Sequence, residues 1–396
     1  GDHRDLHVRS RRQRQMCIRD RAKIAILAGE PSGDLIASQL MAFIKNKDKT
    51  IKFIGVGGPL MEKHGLKSYF DFTNLSLYGV LRVIPNVPKL LFLRYKLIKY
   101  IKTEKPDIFI GVDAPDFNFN VEKKLKQFGI PTFHYVAPSV WAWRPNRVYK
   151  IKKSTDHIFS IFPHEKPLFE KVGVKATFVG HPLANSISLK PNTNKYRKKL
   201  KLNLNQLIIA LLPGSRMGEL TAHTDVLLES ARNLLKIYPN AKFLVPANND
   251  RNYAYISSRL KENPIKSFKL YKQNVEEIIG CSNLAIVASG TATLEVALHK
   301  KPMIIIYKGS WISYFAWKML RLIPNVGLPN ILLKENIVPE MLQHKAIPSL
   351  LSKKANEIIE DKIYLKKIEF KFQKLHSGLK KNTSALIYKT IKPFLK

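Results

Sequence analysis

The chain has 396 residues, 45% hydrophobic and 24% charged, with a formal net charge of +37 and only two cysteines, Cys17 and Cys281. That composition excludes collagen, coiled coil or disorder as the main state, and two cysteines exclude a disulfide framework or a cysteine-rich zinc site. The charge points to an anionic partner (nucleic acid, anionic lipid or a phosphorylated ligand) without choosing among them.

Seven of the arginines fall within residues 1–21, which hold no lysine and no apolar stretch of signal-peptide length. This segment is expected to be a disordered basic tail, with a non-native origin left open. Residues 23–28 (Lys-Ile-Ala-Ile-Leu-Ala) predict a buried strand ending at Gly29. Glu30-Pro31-Ser32-Gly33-Asp34 then opens a helical pattern carried by Leu35, Ile36, Leu40, Phe43 and Ile44. Further strand-like runs end at Gly57-Gly58-Pro59, at Asp113 and at Ala137-Pro138-Ser139. After a polar stretch the pattern repeats: runs from Leu207, Phe243, Leu284 and Met303, the first reaching Pro213-Gly214-Ser215-Arg216 and the third Ser289-Gly290-Thr291. Apolar strands alternating with helices argue for parallel sheets covered on both faces.

The expected organisation is α/β, with two doubly wound Rossmann-like domains facing each other across a cleft. Their bounds are residues 22–185 and 206–345, with a linker at 186–205 and carboxyl-terminal helices over 346–396. No run reaches the roughly 18 apolar residues of a transmembrane helix.

Ligands of open parallel sheets bind beyond the carboxyl ends of the strands, so the turns there carry the chemistry. Gly214, Ser215 and Arg216 join a strand to a helix; glycine, helix start and guanidinium suit a phosphate, and an ordinary turn with a surface arginine fits equally. Ser289, Gly290 and Thr291 suit a diphosphate, with Glu295 one turn on to take ribose hydroxyls; helix capping is the alternative. Asp113 and Asp116 end another strand. Asp116 suits a cap, whereas Asp113 suits a general base. Glu30 is read first as a loop residue capping a helix. His134 reads as a core or cleft-wall histidine, and His181 as a weak cleft candidate. No His, Cys or Asp cluster has metal-ligand spacing, so no metal is expected; no cofactor is expected either. Residues 75–101 interleave large apolar side chains with Arg82, Lys89, Arg94, Lys96 and Lys99, which suits lying on an anionic bilayer or a core helix with basic solvent-facing residues. Trp311 to Leu322 is a second such stretch.

Several runs together resemble the lipid-A-disaccharide synthase family. They are Gly29 to Asp34, Gly55 to Met61, Gly111 to Asn118, His134 to Arg144, Leu211 to Arg216, Ala288 to Glu295 and Leu328-Pro329-Asn330, in family order over residues 23–390. Departures are small: Pro31, Gly327 and Met217-Gly218. The resemblance implies a GT-B glycosyltransferase that joins UDP-2,3-diacylglucosamine to 2,3-diacylglucosamine 1-phosphate, giving a β-1,6-linked disaccharide 1-phosphate and UDP. It implies an inverting, metal-independent reaction in lipid A (lipopolysaccharide) biosynthesis of a Gram-negative bacterium, and final helices that cross back to the first domain. Asp113 is then the base for the acceptor 6-hydroxyl, and Glu30 a further site residue orienting the acceptor. Arg216 and backbone N–H groups hold the leaving diphosphate, Glu295 the ribose, and Asn330 contacts the donor. The acyl chains give residues 75–101 a purpose, with Val83, Leu91, Phe92, Arg94 and Lys96 on the membrane, at the cytoplasmic face of the inner membrane. A homodimer stays open. The rivals are another GT-B enzyme, such as a UDP-GlcNAc 2-epimerase or a different UDP-GlcNAc transferase, and a nucleic-acid binder, which should show a helix-turn-helix or an aromatic-basic sheet face; neither is found.

Overall fold

Strands buried on both faces need apolar side chains at every position, and the runs ending at the candidate turns have them. Ile108–Val112, Ile208–Leu212 and Leu284–Ala288 are buried throughout. The computed structural model describes residues 21–75, 87–143, 145–262, 264–265, 267–309 and 323–395. The chain divides into two units, one running to Pro182 and resuming over Lys381–Lys396, the other spanning Leu183–Lys380.

In the first unit the elements run β1 (Lys23–Ala28), α1 (Pro31–Lys47), β2 (Lys52–Val56), α2 (Pro59–Glu62), β3 (Lys67–Ser68), α3 (Val87–Glu104), β4 (Ile108–Val112), α4 (Pro115–Gln127), β5 (Thr132–Tyr135), α5 (Val140–Trp143), α6 (Arg147–Ser154), β6 (His157–Ser160), α7 (Glu165–Glu170) and β7 (Lys175–Phe178). The described strands pair in the order β3-β2-β1-β4-β5-β6-β7, all parallel. Its core packs Leu27, Val56 and Phe109 against Leu97 and Ile101 of α3 and Val121 and Leu125 of α4.

The second unit takes up the chain within α8 (Pro182–Ser186) and continues through α9 (Thr193–Lys199), β8 (Ile208–Leu212), α10 (Met217–Ile237), β9 (Lys242–Ala247), α11 (Asp250–Glu262), β10 (Phe268–Lys272), α12 (Val275–Cys281), β11 (Leu284–Ala288), α13 (Thr291–Leu298), β12 (Met303–Tyr307), α14 (Leu328–Leu333), β13 (Glu340–Leu342), α15 (Pro348–Glu360) and α16 (Lys362–Leu379). The described strands order as β10-β9-β8-β11-β12-β13, again parallel. The helix α10 buries Leu220, Leu227, Leu228, Ala231 and Leu234, the stripe of a 3.6-residue period.

Two expectations need correction. Residues 186–205 are not a free linker: α9 belongs to the second unit, tied down by Arg197. Its buried guanidinium donates to Cys281 O at 3.1 Å and to Asn283 Oδ1 at 2.7 Å. That arginine, supplied with acceptors, and the buried Ile187, Leu200 and Leu202 anchor a segment whose composition is otherwise polar. Residues 346–396 also do not pack as a block on the first unit. Leu351, Ala355 and Ile358 of α15 share a core with Leu227, Ala231 and Leu234, and in α16 His376 meets Ala184 O at 2.8 Å. Only the end of the chain joins the first unit, where α17 (Thr383–Ile391) sets Tyr388 edge-on to Phe43 and Thr383 Oγ1 donates to Val179 O at 2.8 Å. Residues 1–20 lie outside the described residues.

Candidate functional site

In each sheet the strand order reverses between two central neighbours, β1 and β4 in the first and β8 and β11 in the second. A doubly wound sheet binds its ligands there, because the helices after those two strands depart to opposite faces and leave a crevice. All four principal candidate turns follow these four strands.

In the second unit the turns after β8 and β11 line one cavity of about 360 Å³, which takes in Gly214, Ser215, Arg216, Ser289, Gly290, Thr291 and Glu295. The space beside Gly290 is open, with no atom within 4 Å of where a side chain would begin. It leads to the first N–H groups of α13, which have no acceptor within the helix. The turn after β8 is built differently. Gly214 has φ +112°, and a side chain there would collide with the Glu219 carboxylate. Glu219 Oε2 accepts from the N–H groups of Ser215 at 2.9 Å and Arg216 at 3.2 Å, and its Oε1 lies 3.3 Å from Arg216 Nη1. The amides expected to hold a phosphate are therefore held by the protein's own carboxylate. This turn offers a ligand its guanidinium, 70% exposed at the side chain, and α13 offers amides. His223 stiffens the same turn: Nδ1 donates to Pro213 O at 2.8 Å while Nε2 accepts from Lys308 N at 2.9 Å. Burial lowers its pKa, keeping it neutral.

Glu295 sits in the cavity wall. Burial, aided by the nearby Glu276 charge, pushes its carboxyl up to about 7. If ionised Glu295 holds ribose hydroxyls, UDP binding strengthens about tenfold from about pH 6 to about pH 8 as the carboxyl ionises. Calorimetric titration of UDP across that range, compared with Glu295→Gln to subtract the nucleotide's own titration, checks this; equal slopes for the two proteins contradict it.

Asn330 does not line this cavity. Its amide is buried and used up internally: Nδ2 donates to Val338 O at 2.8 Å and Glu340 Oε1 at 2.9 Å, while Oδ1 accepts from Ile337 N and Val338 N at 3.0 and 2.9 Å. Two donated and two accepted bonds exhaust a primary amide's strong bonds, so the expected donor contact is not made by this group.

In the first unit the turns after β1 and β4 touch: a side chain at Gly29 would lie 3.3 Å from Ala114 Cβ. Glu30 is at the cap position of α1 and its side chain makes no cap hydrogen bond. Asp113 and Ala114 both adopt left-handed backbone, φ +54° and +42°, and Val136 at the end of β5 has φ +75°. Such conformations cost about 1–3 kcal/mol each and persist only where the surroundings enforce them. Here Asp113 N donates to Tyr135 O at 2.9 Å, and Asn118 Nδ2 donates to Asp113 O at 2.7 Å. The kink turns the Asp113 carboxylate out of the sheet, with Ser32 Oγ 3.5 Å from its Oδ2. Asp116 makes no cap bond and pairs with Arg147.

Several polar residues beneath this edge have structural work. Asp34, buried, accepts from the N–H groups of Gly58, Leu60 and Met61 at 3.0–3.1 Å, which explains why Gly57-Gly58-Pro59 accompanies the first turn. His134 is a core residue as read, its Nδ1 2.7 Å from Glu122 Oε1, both side chains fully buried. Burial raises the Glu122 carboxyl and His134 offsets part of that. Trp141 Nε1 donates to Glu165 Oε1 at 3.1 Å. Burial pushes the Glu165 carboxyl up to about 8. His181 is buried against Phe162, and burial lowers its pKa to about 4.

Of the expected membrane stretch, α3 is described. It buries Leu97 and Ile101 and leaves Leu91, Phe92 and Tyr95 47%, 55% and 66% exposed. Lys96 Nζ lies 4.4 Å from the Phe92 ring centre, and Arg94 is half-buried. Val83 and Trp311 to Leu322 lie outside the described residues, as does Arg144. Among the described residues no helix is long and apolar enough to cross a membrane.

Two doubly wound parallel sheets, the second with a cavity at its switch point, define the GT-B class. Solved structures agree on the fold: UDP-GlcNAc 2-epimerase of Neisseria meningitidis bound to UDP-GlcNAc (TM-score 0.64, 13% identity, 94% of this chain and 100% of that one) and MurG of Acinetobacter baumannii (0.57, 12%, 94% and 99%). Residues 24–391 match the family described as lipid-A-disaccharide synthetase, and the chain belongs to it. Among its relatives, the lipid-A-disaccharide synthase of Chromobacterium violaceum is 43% identical over 91% of this chain and 94% of its own. That of Methylobacillus flagellatus is 39% identical over 94% and 99%.

Proposed function

We propose that this chain, a lipid A disaccharide-forming glycosyltransferase by family, transfers the sugar of UDP-2,3-diacylglucosamine to the 6-hydroxyl of 2,3-diacylglucosamine 1-phosphate with inversion and without a metal. The observation that carries the donor half is the cavity with Arg216 on one wall and the α13 N-terminus on the other. A guanidinium and free helix amides neutralise the charge that grows on a departing diphosphate, which a metal does elsewhere. The acceptor half rests on Asp113, a partly exposed carboxylate on an enforced kink, at a turn that touches the turn carrying Glu30. Asp113 accepts the hydroxyl proton as the oxygen attacks C1, and the C1–oxygen bond to UDP breaks. The assay is UDP release from the donor with and without the lipid monosaccharide 1-phosphate. Release that needs the acceptor, survives chelation and gives a β-linked product supports the reading. Acceptor-independent turnover of the UDP-sugar would instead favour an epimerase-type activity.

The enzyme meets its acylated substrates on the cytoplasmic face of the inner membrane. Support comes from α3, whose exposed Leu91, Phe92 and Tyr95 stand among Lys89, Arg94, Lys96 and Lys99. Burying two such side chains in lipid contributes about 3–6 kcal/mol. The double substitution Leu91→Asp with Phe92→Asp therefore lowers partitioning onto anionic vesicles at least about tenfold, with salt weakening wild-type binding. Sedimentation with vesicles that is indifferent to both the substitutions and salt removes α3 from the membrane.

A further inference from the structure

Asn330 and Glu340 form a closed hydrogen-bonded unit behind the donor cavity. Glu340 stands on the edge strand β13, opposite Ile305 of β12. Its Oε2 accepts from Val326 N at 2.9 Å, and its Oε1 accepts from Gly327 N at 3.0 Å and from Asn330 Nδ2 at 2.9 Å. Three donors converge on one carboxylate, and bonds to a charged acceptor are the strong kind. Gly327 is wedged in this contact: a side chain there would collide with Ile305 and come within 3.2 Å of Glu340 Oε1. The unit therefore fixes the backbone at residues 326 and 327. The carbonyl of Val326 in turn accepts from Ser289 Oγ at 2.9 Å, and Ser289 opens the turn that carries Gly290 and the α13 amides into the cavity.

We infer that Glu340 is a positioning residue for the donor diphosphate, acting with Asn330 through the Val326 carbonyl on the Ser289 turn. Neither side chain lines the cavity: Asn330 has no bond to spare, and both Glu340 oxygens are engaged by backbone and amide donors. Their contribution is to set the turn before the ligand arrives, so that its amides need no reorganisation on binding. The inference rests on the donor reading of the cavity.

The test is a double-mutant cycle on the full chain, with UDP as the probe and calorimetric affinity as the readout. Glu340→Gln places an amide N–H₂ against backbone donors and is expected to weaken UDP binding at least about tenfold, the effect of one charged hydrogen bond. In a Ser289→Ala background, where the link to Val326 is already cut, the same change is expected to cost less than about threefold, because both substitutions break one chain of contacts. Equal losses in the two backgrounds, or no loss in either, overturn the inference. A wild-type chain that does not bind UDP overturns the donor reading instead. Should Glu340→Gln not fold, hydrogen exchange of the wild type decides: UDP is expected to slow exchange at residues 289–292 and 326–330 together, and protection confined to 289–292 overturns the coupling.

Discussion

Asp113→Asn is expected to lower kcat by about 10²–10⁴-fold with UDP affinity unchanged, the range a positioned general base supplies. The substitution is informative because it spares the geometry. Asp113 has φ +54°, a left-handed conformation that asparagine adopts as readily as aspartate. The bonds that enforce the kink, Asp113 N to Tyr135 O and Asn118 Nδ2 to Asp113 O, use only backbone atoms of residue 113. What the variant loses is the ability to accept a proton. Steady-state kinetics with both lipid substrates, beside a thermal melt, separate the cases: kcat retained above a tenth of wild type removes the base assignment.

Arg216→Ala is expected to lower kcat/KM by about 10²–10³-fold, comparable to deleting one donor aimed at developing charge. Two features of the turn enlarge the effect. The Ser215 and Arg216 amides are already bonded to Glu219, so the guanidinium is the turn's main offer to an anion. Glu219 is itself a carboxylate in the cavity wall, and without Arg216 it faces a diphosphate uncompensated. Arg216→Lys should recover part of the loss, keeping the charge but not the fork. Glu219→Gln added to Arg216→Ala should recover part as well. UDP-sugar KM and kcat both unchanged in Arg216→Ala would remove the diphosphate role.

The strands that carry the site were legible because each is a near-continuous apolar run stopped by a glycine, proline or aspartate turn, as at Ala28-Gly29 and Leu212-Pro213-Gly214. Both halves were legible from that repeat, and β6 and the edge strands β3, β7, β10 and β13 were not. Lys67–Ser68 is too short to show a pattern, and Phe268–Lys272 alternates with lysine because it is only partly covered. The segment 186–205 reads as a linker because it is polar and rich in asparagine and lysine, and its few buried side chains, Ile187, Arg197, Leu200 and Leu202, show no strand or helix period. Asn330 was read as a donor contact through its place in a motif, and its partners Val338 and Glu340 are set by a fold around it. Glu219 lay one turn from Arg216 in plain view; a capping-box spacing, with an acid three residues beyond the cap, is the signal that identifies it.

By itself the sequence determined the two parallel sheets, the four turns at their switch points, the family and the residue types offered for chemistry, because hydrophobic period and turn composition are local. Only the tertiary structure decided which of those groups remain available. Glu219 takes the amides that the sequence offers to a phosphate, Glu340 and Val338 take the amide of Asn330, Phe162 packs against His181, and Asp113 is left partly exposed on its kink. A polar group serves a ligand only if the folded chain has not already supplied its partner, and that partner is fixed by packing rather than by spacing along the chain.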